Sequence, residues 1–105
     1  MRTVHQRRRE NGFSRFSEGL AQYRKNGGLL LDVRERPEYR KGHIAGAVNL
    51  PTAEIEGFLR RYPNRSLPVY VYCRSGRRSR EAAAYLRRHG YRKVTDLGGF
   101  WENEK

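Results

Sequence analysis

Four short runs with strand character set what this chain can fold into: residues 29–33, 47–50, 69–72 and 93–97. Leu29-Leu30-Leu31 lacks apolar–polar alternation, which suits a strand buried on both faces of a parallel sheet. Val69 to Tyr72 is β-branched or aromatic throughout. Stretches with helical spacing lie before and between these runs. Ser17 reads as the N-cap of a first helix, with Gly27-Gly28 stopping it. Residues 35–39 can form one helical turn, with Pro37 early in it. Thr52 reads as the cap of a helix through Arg61, with Ile55, Phe58 and Leu59 on one face. Residues 79–89 read as a further helix, with Ala82, Ala83, Tyr85 and Leu86 inward and Gly90 closing it. Gly98-Gly99 reads as a turn into a short tail. Strands alternating with helices imply an α/β domain: a mostly parallel central sheet of about four to five strands, flanked by helices on both faces.

The 105 residues suit one domain. Residues 1–12 read as a basic flexible arm, and residues 13–105 as the folded unit. Lys and Arg number 23 against 11 Asp and Glu, a formal charge of +12. A field of that sign excludes cationic ligands and favours anions. The single cysteine, Cys73, excludes an intrachain disulfide framework and any Cys-rich zinc or iron–sulfur site. No apolar run approaches the ~20 residues that span a bilayer. The N-terminus lacks the apolar core of a secretory signal, so the expected compartment is the cytoplasm.

Cys73 stands at the carboxyl end of the strongest strand, directly before a helix. In open parallel α/β sheets, ligands bind beyond the carboxyl ends of the strands. The loop Arg74-Ser75-Gly76-Arg77-Arg78 can turn its amides toward the sulfur, and Gly76 removes a side chain where positive φ is needed. Amides, a helix N-terminus and three arginines all favour thiolate over thiol, and thiolate is the nucleophile. A lone cysteine in a small protein is most often an apolar filler. Filler needs no Gly-containing cationic loop, so the position favours a reactive Cys73.

The segment Cys73-Arg74-Ser75-Gly76-Arg77-Arg78-Ser79 resembles the active-site loop of single-domain rhodaneses, the thiosulfate sulfurtransferase family. Leu31-Asp32-Val33-Arg34-Glu35, Glu38-Tyr39 and residues 42–51 are similar to the family's N-terminal signature. Val94 to Trp101 is similar to its ending. The resemblance covers roughly residues 14–101. It implies a rhodanese-like fold and a Cys73 persulfide. That persulfide would be formed from thiosulfate or a persulfide donor. It would be passed to cyanide in an assay, or to a thiol or carrier protein in the cell. It also implies that residues 74–78 hold the sulfur, that Arg78 closes the loop by bonding its backbone, and that no cofactor or metal is needed. An acidic acceptor protein would suit the charge. The alternative is a low-turnover persulfide carrier or protein-binding module. Phosphatase and arsenate-reductase loops run Cys-x5-Arg; here Arg78 closes Cys-x4-Arg, and Ser79 follows, so phosphate chemistry ranks lower.

Asp32 and Arg34 read as supporting residues, with Asp32 paired to Arg34 in preference to a direct role in the loop. Ser79 reads as a further support of the loop. His43 lies in a Gly-flanked turn, and a thiolate needs no general base, so it reads as structural. His5 and His89 read as surface residues, and Phe100 and Trp101 as cover for the core edge. Arg7-Arg8-Arg9 reads as a solvated tail rather than a nucleic-acid site, because no aromatic residues interleave with it. No membrane partner is expected.

Overall fold

The computed structural model describes residues 15–100. The elements in chain order are α1 (15–26), β1 (Leu29–Asp32), α2 (Arg36–Lys41) and β2 (Val48–Asn49). A 3-10 turn (Thr52–Glu54) and α3 (Glu56–Arg61) follow, then β3 (Val69–Cys73), α4 (Arg77–Arg88) and β4 (Val94–Gly99). The four strands form one sheet in the order β2-β1-β3-β4, and every pairing is parallel. All four carboxyl ends therefore lie at the same edge, and β3, which carries Cys73, is central.

Helices cover both faces, and the strand period of two divides the apolar side chains between them. On one face Leu31, Val33, Val69, Val71 and Cys73 pack against Phe58 of α3 and Ala82 and Leu86 of α4. On the other, Leu30, Tyr70, Tyr72 and Leu97 pack against Phe16, Ile44 and Ala47, with Leu20 and Tyr23 of α1 alongside. Burying a side chain such as Leu31 or Phe58 is worth about 1.5–3 kcal/mol. The strand β3 is buried along its whole length. This is why its sequence lacks a polar face.

Several local expectations change. Ser17 lies inside α1, which is already helical at residue 15, so it caps nothing. Thr52 is the first residue of the 3-10 turn and makes no capping bond; Pro51 fixes the entry, and α3 starts only at Glu56. Helix α4 begins at Arg77, two residues before the expected start, because left-handed Gly76 (φ 101°) already turns the chain. Tyr85 is half-buried at the core edge and stacks on His89. Gly98 and Gly99 do not leave the sheet: they extend β4 opposite Tyr72 and Cys73, after an irregularity at Val71/Tyr72. Phe100 covers the core against Phe16 and Tyr72. The proposed arm, His5 and Trp101 lie outside the described residues.

Candidate active site

The carboxyl edge of the sheet collects the residues that could do chemistry. Cys73 ends β3 and is fully buried. Its Sγ accepts two backbone hydrogen bonds, from the Gly76 N–H at 3.0 Å and the Ser79 N–H at 3.3 Å. These amides belong to the turn and the first turn of α4, where helix N–H groups have no partner of their own. The Ser79 hydroxyl donates to the Gly76 carbonyl at 3.1 Å and ties the turn to the helix. Arg74, Ser75 and Arg77 are exposed. Arg77 reaches Glu81 only at 4.0 Å, with both side chains in solvent. The loop therefore presents amides inward and guanidinium groups outward around one sulfur.

Arg78 does not bond the loop backbone as the resemblance implied. Its guanidinium reaches across to α2 and forms a two-pronged pair with Glu38, at 3.0 and 3.3 Å. A carboxylate in that position offers two charged acceptors in the plane of the fork, which main-chain carbonyls do not match. Glu38 is held in place from the other side, because its Oε1 also accepts the Glu35 N–H at 2.8 Å. The bond from Arg78 holds the Glu38 carboxyl below its ordinary range; burial opposes this, and the Glu35 amide reinforces it. The same bond raises Arg78. A carboxyl with a lowered pKa stabilises the fold above its ordinary value of 4.5 and loses that contribution as pH falls through the folded value. Glu38→Gln is expected to lower stability by about 1 kcal/mol or less at pH 7, since the pair is partly exposed. The difference from wild type should shrink in acid, as the carboxyl takes up its proton. Urea unfolding at pH 7 and pH 3 checks this.

Asp32 and Arg34 are brought together with each other and not with the sulfur. Both are fully buried. Asp32 accepts the Arg34 side chain at 2.8 to 3.1 Å through both oxygens, and its Oδ1 also accepts the Arg34 N–H at 2.9 Å. Arg34 donates further to the Gly42 carbonyl at 2.7 Å, tying β1 to the end of α2. Burial alone would lower the Arg34 pKa; the hydrogen bonds and charge of Asp32 outweigh it and hold the guanidinium above its ordinary value. Its face lies 5.9 Å from the Tyr72 ring. His43 is exposed, stacks on Tyr39 and bonds the Tyr39 carbonyl through Nδ1. His89 repeats that arrangement with Tyr85.

Two residues here had no place among the site residues expected from the sequence. Glu38 is one; its spacing of three from Glu35 was the available signal, since that pattern marks a helix start. Gly99 is the other. It faces Cys73 across the β3–β4 pairing. A Cβ there would meet the Arg74 carbonyl oxygen and the Ser75 carbonyl carbon, each at 2.7 Å. Those are backbone atoms and cannot step aside cheaply. Only glycine lets β4 run beneath the loop. Gly99→Ala is expected to cost about 1–3 kcal/mol by overpacking. It should also displace residues 74–75, which thermal unfolding and a crystal structure of the variant check together.

Comparison with known proteins agrees with this fold. The family model for the rhodanese-like domain matches residues 16–103. The thiosulfate sulfurtransferase GlpE of Pseudomonas fluorescens (strain SBW25) is 38% identical over 79 residues, covering 75% of this chain and 72% of that protein. YrkF of Bacillus subtilis (strain 168), provisionally named a sulfur carrier protein, is 41% identical over 68 residues. That match covers 65% of this chain but only 36% of YrkF, so the chain spans about a third of that relative's length. The human single-domain sulfurtransferase TSTD1 superposes with a TM-score of 0.71 at 26% identity, over 84% of this chain and 89% of that one. With the motif, the parallel sheet and the match to most of its length, the chain belongs to the rhodanese-like domain family.

Proposed function

We propose that the protein is a sulfurtransferase that moves sulfane sulfur through a persulfide on Cys73. The observation that carries this reading is the pair of amides on Sγ, from Gly76 and Ser79, within a loop rimmed by exposed arginines. In the first half-reaction the Cys73 thiolate attacks the outer sulfur of thiosulfate. An S–S bond forms to Sγ, the bond to the sulfonate sulfur breaks, and sulfite leaves with that electron pair. The two negative charges of thiosulfate depart on sulfite, and the thiolate charge moves to the terminal persulfide sulfur. In the second half-reaction a thiophile such as cyanide attacks that terminal sulfur. Thiocyanate leaves and the thiolate returns. Negative sulfur is present at each stage, and preorganised N–H donors stabilise such charge without rearranging. Arg74 and Arg77 raise the local concentration of an anionic donor.

The test is mass spectrometry of the intact protein after incubation with thiosulfate, followed by cyanide. Cys73 should gain the mass of one sulfur atom and lose it on cyanide addition, with thiocyanate appearing catalytically. If no sulfur is gained from thiosulfate, nor from a small persulfide, the reading fails. The resemblance to YrkF supports a second reading, a carrier that loads once and waits for an acceptor protein. One equivalent of thiocyanate per protein, with no further turnover, would favour the carrier.

A further inference from the structure

Parallel topology gives this domain two unlike poles. Cys73 and the loop that follows it occupy one. At the other, three helices end and deliver the chain to the starts of β1, β3 and β4. Each brings a pair of exposed cations: Arg24 and Lys25 on α1, Arg60 and Arg61 on α3, Arg87 and Arg88 on α4. The loops between them add exposed Arg92 and Lys93, and half-buried Arg65. Hydrogen bonds hold some of these loop and helix ends together: Arg65 to the His89 carbonyl, Arg87 to the Val94 carbonyl and Arg92 to the Ser66 hydroxyl.

None of these nine cations is paired with a carboxylate among the described residues. The reason is in the chain itself: no Asp or Glu occurs in residues 19–31, 57–80 or 82–95. The carboxylates that make ion pairs lie elsewhere. Glu54, Glu38 and Glu81 take up Arg36, Arg78 and, weakly, Arg77. A structural reading covers part of the pattern, because cations stabilise helix C-termini. Three helix ends supply only about −0.5 charge each, against nine positive side chains. That reading also does not reach Arg65, Arg92 and Lys93, which lie outside the helices.

We infer that this pole is a docking surface for the phosphate backbone of a nucleic acid. Seven of the nine cations are arginines. The guanidinium fork matches phosphate oxygens two at a time. The three strand starts lie side by side over about 10 Å, and helix layers extend the surface about 10 Å to either side. That breadth suits a chain of regularly spaced charges better than a single small anion. Tyr62 and Tyr91 at this end are not free to stack on bases: guanidinium groups of Arg61 and Arg65 lie over them at 5.5 and 4.6 Å. Binding through this face is therefore indifferent to sequence and strongly dependent on salt. The strand β3 separates the pole from Cys73 by about 13 Å. A docked polyanion leaves the reactive loop open, so the surface tethers the domain rather than feeding its chemistry.

The test uses fluorescence anisotropy with a labelled 20-nucleotide single-stranded RNA and the full chain. Wild type should bind with Kd of about 10 μM or tighter at ~100 mM salt. Three triple variants of equal charge change separate the sources of binding. Arg60→Gln with Arg88→Gln and Lys93→Gln should weaken binding about tenfold or more and shrink the salt slope by about 2. Arg40→Gln with Lys41→Gln and Arg80→Gln, and Arg7→Gln with Arg8→Gln and Arg9→Gln, should each change it less than about twofold. Sulfur transfer from thiosulfate to cyanide should be the same in wild type and the Arg60/Arg88/Lys93 variant. Equal losses in all three triples, loss confined to the Arg7–Arg9 triple, or absence of binding overturns the proposal. So does tighter binding to phosphatidylserine vesicles or polyglutamate than to RNA, which would assign the pole to a membrane or an acidic protein.

Discussion

Cys73→Ser is expected to reduce sulfur transfer from thiosulfate to cyanide by at least about 10³-fold, to the level of the uncatalysed reaction. Serine is nearly isosteric, and its hydroxyl oxygen can still accept the amides that reach Sγ from Gly76 and Ser79. It is not ionised at neutral pH, and oxygen does not hold a sulfane sulfur as sulfur does. The fold should survive, with a modest stability loss, because a hydroxyl replaces a thiol in a buried position with donors already in place. Circular dichroism and the coupled thiocyanate assay separate the two effects. Activity retained at the wild-type rate would assign Cys73 to the core alone, and the transfer reaction would need another nucleophile. Among the described residues there is no other cysteine to supply one.

The second large effect is structural. Asp32→Ala is expected to destabilise the domain by about 3–5 kcal/mol, enough to unfold a large fraction of a small domain near physiological temperature. The loss comes from what remains. Arg34 keeps its bond to the Gly42 carbonyl but loses both carboxylate oxygens while fully buried. A buried guanidinium that has lost its carboxylate is worse than no ion pair at all. The double variant Asp32→Ala with Arg34→Met should therefore recover part of the loss, since it also removes the buried guanidinium. Chemical denaturation of the two single variants and the double variant gives the coupling directly. If the single variant loses less than about 1 kcal/mol, water reaches Arg34 and the site is less dry than its burial indicates.

The parallel sheet was legible because β1 and β3 are short, unalternating and rich in Leu, Val and Tyr, as doubly covered strands must be. The Cys73 loop was legible because it is local: seven consecutive residues contain the sulfur, the turn glycine and both amide donors. Helix starts were less so. Ser17 has a good capping chemistry, but capping is decided by where the backbone enters the helix, and α1 is already formed at residue 15. The pairing of Arg78 with Glu38 spans 40 residues. Nothing local distinguishes that partner from the loop's own carbonyls. Gly99 was readable as a turn, because glycine marks both turns and close approaches, and only the β3–β4 register decides between them. Nine of the basic residues are scattered along the chain between Arg24 and Lys93. They gather at one pole because the connections from α1, α3 and α4 return to the starts of three adjacent parallel strands.

Cys73 has no exposed surface, although Arg74 and Ser75 immediately after it stand in solvent. The loop is thus a roof as well as a ring of donors. On the function proposed above, a sulfur atom added to Sγ would start out behind that loop and not in open solvent. An acceptor would then have to reach a sulfur whose carrier has no surface of its own, so contact with the outside of the domain would not be enough to unload it.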